Sequence, residues 1–236
     1  MHFQFITLNN HLQYILFLAD STLILSQRNS EWCAHGPILE QDIAITNISL
    51  DLLGQARNFY QHAANLLNQS NANGETVSED SLAYLRNERE FKNLLITELP
   101  NGDWAQTILR QFFFSVYQHL LYSRLLKSED KQIAAIAEKS LKEITYHIKW
   151  SREWVIRLGD GTEESNRRIK AALDYLWMYT GEFFIPATFE ESDPSSLQEQ
   201  WLETIKEVFD EATLELPAGG FMQQGGKTGN HTEYLG

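Results

Sequence analysis

Between Pro37 and Asn68 the sequence repeats one pattern. Ile38, Ile45, Leu52, Phe59 and Leu66 recur every seven residues, and Asp42, Ser49, Ala56 and Ala63 form a parallel row of mostly small side chains. A large row beside a small row is what a close helix–helix contact needs. Pro37 suits the first turn, where its missing N–H would be unpaired anyway. The predicted helix is about 45 Å long at the standard rise per residue.

The rest of the chain supplies helices of similar kind. Leu12 to Arg28 is apolar nearly all round, which predicts a buried helix. Asn68 to Glu75 is a polar loop, and a short helix is expected from Ser78 to Arg89. Asp103 is placed to cap the next helix, with Gln106 at the capping-box position. From Trp104 to Leu121 apolar residues step by three and four. A further helix is predicted over Asp130 to Leu158, stopped by Gly159 and Gly161. Thr162 caps another, ending near Thr180. A loop with Pro186 and Pro194 leads to a last amphipathic helix over Leu197 to Phe209, and the tail from Pro217 is irregular. Four long helices with shorter ones around them make an all-α helix bundle, and nothing divides residues 1–236 into separate domains.

Apolar residues at 43% provide ample core for 236 residues. A net charge of −13 disfavours nucleic acid and anionic membranes as partners. The single cysteine, Cys33, cannot form an internal disulfide, and the N-terminus lacks the basic region of a signal peptide. The apolar cluster Leu12 to Leu25 is interrupted by Gln13, Asp20, Ser21 and Thr22, too short and polar for a membrane span. A cytoplasmic protein is expected.

Large helix bundles often house two metal ions, held by two Glu-x-x-His pairs and two further carboxylates. None of His2, His11, His35, His62, His119, His147 and His231 has a carboxylate three residues before it. Glu31–His35 and Glu143–His147 are spaced by four, but Gly36 and Pro37 turn the chain after the first pair. His147 reads best as a hydrogen-bonded histidine at the core edge. The tail GGFMQQGGKTGN resembles a phosphate loop only superficially: Phe221 stands where the first glycine belongs, and no strand precedes it. Cys33, two residues from His35, reads as a small packed residue and not a nucleophile. Asp20, amid apolar residues, needs a partner if buried. It is either a leftover inward carboxylate of a metal site or half of an ion pair with an arginine such as Arg57 or Arg28, the second being favoured by the absent histidine ligands. The charged run Asn87 to Leu95 is either a solvated helix end or a contact surface for an anionic ligand or a partner.

The segments SQRNSEWCAHGP, SLDLLGQARNFY, LAYLRNEREFKNLL, LPNGDWAQTILRQFFF, LGDGT, IKEVFDEATLELP and GGKTGNHTEYLG resemble the PaaC-type subunits of bacterial phenylacetyl-CoA epoxidases, also called phenylacetate-CoA oxygenases. The likeness runs from about Leu16 to the end, and chains of this family continue somewhat past the last motif. It implies a ferritin-like bundle that partners a similar, PaaA-type subunit. That partner holds the di-iron centre and turns the ring of phenylacetyl-CoA into a 1,2-epoxide. PaaB and a PaaE-type reductase with flavin and iron–sulfur complete the system, which consumes dioxygen and NADPH. The PaaC-type subunit is the non-catalytic member.

The frames of the catalytic relative explain why. Its D-E-x-G-H is Asp51-Leu52-Leu53-Gly54-Gln55 here, and its K-E-E-x-x-H is Lys142-Glu143-Ile144-Thr145-Tyr146-His147. Glutamates have become Leu52 and Ile144, and one histidine has become Gln55, so no metal and no cofactor is expected on this chain. The resemblance also places Glu90, Phe91, Lys92 and Asn93 near the CoA portion of the substrate at the subunit contact. Two other readings remain open at this point. One is a free-standing ferritin-like di-iron oxidase with an altered site, and the other a helical binding module unrelated to oxygenases.

Overall fold

The computed structural model describes residues 9–70 and 76–235, and its regular structure there is helical throughout. Asn9 accepts the N–H of Leu12 and opens α1 (Asn10–Ser30). Almost every residue from Leu12 to Ser26 is buried, so α1 is the central element. It packs along α2 (Leu39–Ser70) through the small row predicted for that helix. Ser49, Ala56 and Ala63 are buried, and the Ser26 hydroxyl donates to the Ser49 carbonyl at 2.7 Å. Backbones approach this closely only where side chains are small. The seven-residue row also holds at Ile45, Leu52 and Phe59, all fully buried. The helix begins two residues later than Pro37, and Ile38 is exposed.

After the short α3 (Glu79–Tyr84) and α4 (Leu95–Glu98) come the second long pair, α5 (Trp104–Leu125) and α6 (Lys131–Gly159). These two pack along each other, and α2 against α6 joins the pairs around one core. Phe112, Phe113 and Phe114 are all buried in that core. Then α7 (Glu163–Leu176) and α8 (Gln198–Glu211) cover the α5–α6 side. The helical bundle expected from the sequence is therefore the architecture found.

Three local expectations change. The helix over Ser78 to Arg89 stops at Tyr84, followed by a 3-10 turn at Glu88–Glu90. The cause is Arg86, whose side chain bonds the Leu82 carbonyl and then turns inward to Asp20. The capping box at Asp103 is half-made: Asp103 accepts the N–H of Gln106, but the Gln106 amide donates to the Pro100 carbonyl. The helix capped by Thr162 ends at Leu176 and continues as two 3-10 turns, Trp177–Tyr179 and Gly181–Phe184. Among the described residues no helix is long and apolar enough to cross a membrane.

Candidate functional site

Leu52, Gln55, Ile144 and His147 mark where a ferritin-like metal centre would lie. Leu52 and Ile144 are fully buried in the core. Gln118 of α5 donates to Gln55 of α2 at 2.9 Å, and Gln55 donates to Glu143 of α6 at 2.9 Å. His147, also buried, pairs through Nε2 with Asp51 Oδ2 at 3.0 Å. Two amides thus bridge three helices with hydrogen bonds, and two aliphatic side chains fill the interior. Asp51 and Glu143 are only half-buried and each is already paired. The centre needs four carboxylates and two histidines converging on one space. The residues here offer two carboxylates and one histidine, so they do not fit a di-iron group. His147 sits as the sequence suggested, hydrogen-bonded at the edge of the core.

Asp20 is fully buried, and its partner is Arg86, not Arg57 or Arg28. Arg28 instead reaches Glu31 and the Glu98 carbonyl, and Arg57 faces solvent beside Glu79. Asp20 accepts four donors: the Tyr60 hydroxyl at 2.6 Å, the Lys92 N–H at 2.7 Å, and two Arg86 nitrogens. Burial lowers the Arg86 pKa, but the Asp20 carboxylate beside it more than offsets this and holds the guanidinium charged. Arg86 in turn lies 4.1 Å from the centre of the Phe91 ring, a cation–π contact. A carboxylate on the central helix therefore fixes the whole 86–92 segment.

That fixing decides what each residue of the segment does. Glu90 is exposed and caps the backbone and side chain of Asn87. Phe91 is half-buried under Arg86. Asn93 is fully buried and donates to Glu98 at 2.9 Å, so it orders the loop and does not face outward. Lys92 is half-buried, its pKa lowered by that burial, and among the described residues its ammonium group makes no hydrogen bond or ion pair. Of the four residues, Lys92 is the one free to meet a ligand.

The tail meets this segment. A Cβ on Gly229, which adopts φ 82°, would fall 2.5 Å from the Arg89 carbonyl, so only glycine permits this approach. Three buried carboxylates hold the tail in place. Glu182 accepts the N–H groups of Leu95, Gly225 and Gly226 at 2.7–2.8 Å. Glu190 pairs with Lys227 at 3.0 Å. Glu98 accepts from Thr232 and pairs with His231 at 2.6 Å. Lys227 is buried and also donates to the Ile185 carbonyl at 2.8 Å. Its pKa is lowered by burial, partly offset by Glu190. A lysine so engaged cannot cradle a phosphate, which disposes of the phosphate-loop reading.

Two further features are located by the structure. The first is an apolar stripe on the outer face of α2: Leu39, Ile43, Leu50 and Leu53 are 72, 52, 59 and 41% exposed. Gly54 lies in the same stripe with open space around it, and Tyr146 of α6 is exposed beside the Gln55–Glu143 bridge. The second joins His11, His62 and Asp130, whose ligand atoms lie within 4.8 Å of one another. Burial raises the Asp130 pKa, but hydrogen bonds from His62, the Ile133 N–H and His11 more than offset it and leave the carboxyl at about 2.

Comparison with known proteins gives these features a context. A family described as "Phenylacetic acid catabolic protein" matches residues 6–236. A 1,2-phenylacetyl-CoA epoxidase subunit of Escherichia coli (strain K12) is 44% identical over 237 residues, covering 97% of this chain and 93% of that protein. With the match running from the first helix through the strapped tail, the chain belongs to the phenylacetic acid catabolic protein family.

Proposed function

We propose that this chain is a non-catalytic subunit of a 1,2-phenylacetyl-CoA epoxidase, serving as the structural partner of a PaaA-type subunit that holds the di-iron centre. PaaB and a PaaE-type reductase carrying flavin and iron–sulfur are the remaining members, with NADPH as the source of electrons. The observation that carries this reading is the Gln118–Gln55–Glu143 bridge with Leu52 and Ile144 beside it. Such a centre stabilises the bundle through packing and hydrogen bonds. It offers no ligand set for iron and no group to move electrons or activate oxygen. The apolar stripe on α2 supports the partner role, since a contiguous exposed apolar face on a long helix is characteristic of a surface covered in the assembly.

The test is reconstitution with ferrous iron followed by elemental analysis and turnover. The isolated chain is expected to retain far less than two irons, and to leave phenylacetyl-CoA unoxidised until PaaA-type, PaaB and PaaE-type partners are added. Two tightly held irons, or turnover by the chain with a reductant alone, would favour a free-standing oxidase.

The segment Glu90 to Asn93 is proposed to lie near the CoA portion of the substrate, with Lys92 making the contact. The support is the unpaired ammonium group on a segment that Asp20 and Arg86 hold rigid. Lys92→Ala should raise the apparent KM of the assembled complex about fivefold, equivalent to about 1 kcal/mol for a partly screened charge contact. Assembly and kcat should be preserved. An unchanged KM in an intact complex would leave this segment as a structural loop only.

A further inference from the structure

His11 opens α1, His62 lies near the end of α2, and Asp130 caps α6. Their side chains nevertheless meet. Both imidazoles direct Nε2 at one oxygen, Asp130 Oδ2, His11 from 2.9 Å and His62 from 2.6 Å. The other oxygen, Oδ1, accepts the N–H groups of Gln132 and Ile133 at the start of α6, which fixes the orientation of the carboxylate. Behind His11, Glu191 Oε1 lies 2.7 Å from Nδ1. His62 and Asp130 are largely buried, while His11 borders an open cleft of about 800 Å³ shared with Asp130 and Glu191.

We infer that His11, His62 and Asp130 form a site for a divalent transition-metal ion of the zinc class, one that lies outside the ferritin-like frame and departs from the expectation that this chain holds no metal. Two imidazoles and one carboxylate are a standard donor set for zinc, with the fourth tetrahedral position left to water. The cleft supplies that open side. Glu191 stands where metal-binding histidines usually find a carboxylate, on the ring nitrogen away from the ion. The fixed Oδ1 leaves Oδ2 as the one free donor of Asp130, already aimed between the two rings. Bonds of about 2.0 Å set ligand atoms about 3.3 Å apart in a tetrahedron. The present separations of 2.6 and 2.9 Å therefore need to open by only about half an ångström, which small side-chain rotations achieve. The ion would tie the N-terminus of α1 to α2, to the start of α6 and, through Glu191, to the loop before α8. It would act as a staple between these elements, with its fourth position open to the cleft.

The experiment is calorimetric titration of the full chain with zinc chloride. It is run in a Cys33→Ser background, because Cys33 is exposed and free and lies near His35. One zinc per chain is expected. His62→Ala and Asp130→Asn should each weaken it on the order of 100-fold, and Glu191→Gln on the order of tenfold, the usual effect of removing a carboxylate behind a ligand. The amide introduced by Asp130→Asn retains an acceptor for the α6 cap, and circular dichroism confirms that each variant is folded. Zinc should also raise the melting temperature of the parent chain and not that of Asp130→Asn. Equal affinity in parent and variants, or no zinc bound at micromolar concentrations, would overturn the proposal and leave a hydrogen-bonded histidine–carboxylate cluster.

Discussion

Asp20→Ala is expected to lower the unfolding free energy by about 3–5 kcal/mol, the usual cost of removing one member of a buried ion pair. The loss is large because of what remains. Arg86 keeps its place over the Phe91 and Tyr60 rings with its side chain almost fully buried, now without a counter-charge. The Tyr60 hydroxyl and the Lys92 N–H lose their acceptor at the same time. Asp20→Asn should cost less, since an amide oxygen still accepts one of these donors. The double change Asp20→Leu with Arg86→Met should cost less than Asp20→Ala alone, because no unpaired charge is left in the core. Urea unfolding with an unchanged m value measures each effect. A loss below about 1 kcal/mol for Asp20→Ala would show that water or rearrangement satisfies Arg86. In the same variant the Lys92 backbone loses its anchor on α1, so the effect of Lys92 on KM should shrink.

Periodicity made the four long helices legible, because apolar residues at three- and four-residue steps and a seven-residue row can cover only one face each. Burial of Asp20 was also legible, from its apolar neighbours in α1. Its partner was not. Arg86 lies 66 residues away, in a segment that reads as continuous helix until its side chain is seen to leave that helix. Arg28 and Arg57 were nearer in sequence or pattern, but one is engaged at the end of α1 and the other is exposed. At the ferritin-like frame Leu52, Gln55 and Ile144 could be read as lost ligands, yet the hydrogen bonds that replace them run from α5 through α2 to α6. The histidine–aspartate cluster was invisible for the same reason. Asp130 is 119 residues from His11 and 68 from His62, and only the packing of three helix ends brings them together. Motifs such as LPNGD and GGKTGNHTEYLG look chemical but carry fold. Arg110 is buried against the Leu99 carbonyl and Asn101, its pKa lowered to about 9 by burial, and Glu98, Glu182 and Glu190 hold the tail.

The paired substitution Leu50→Glu and Leu53→Glu should abolish co-elution with the PaaA-type partner while leaving this chain folded. Leu39, Ile43, Leu50, Leu53 and Gly54 lie within one face of α2, and nothing among the described residues covers it. Each leucine buried at a well-packed contact contributes about 2 kcal/mol, and a carboxylate there must also be desolvated. Two such changes should weaken association by about 4 kcal/mol or more, roughly a thousandfold. On the isolated chain both positions are exposed, so stability should move by no more than about 0.5 kcal/mol. Gly54 sharpens the expectation. A glycine in mid-helix costs about 1 kcal/mol relative to alanine, and open space beside it means that nothing described within this chain requires its absence of a side chain. A partner backbone approaching α2 closely would require it. Gly54→Ala should therefore stabilise the free chain by up to about 1 kcal/mol and weaken the complex, an opposition that a merely solvent-facing helix cannot produce. Light scattering coupled to size separation, at micromolar concentration of both subunits, reads the outcome. Undiminished co-elution of the double-glutamate variant would place the partner on another face of the bundle.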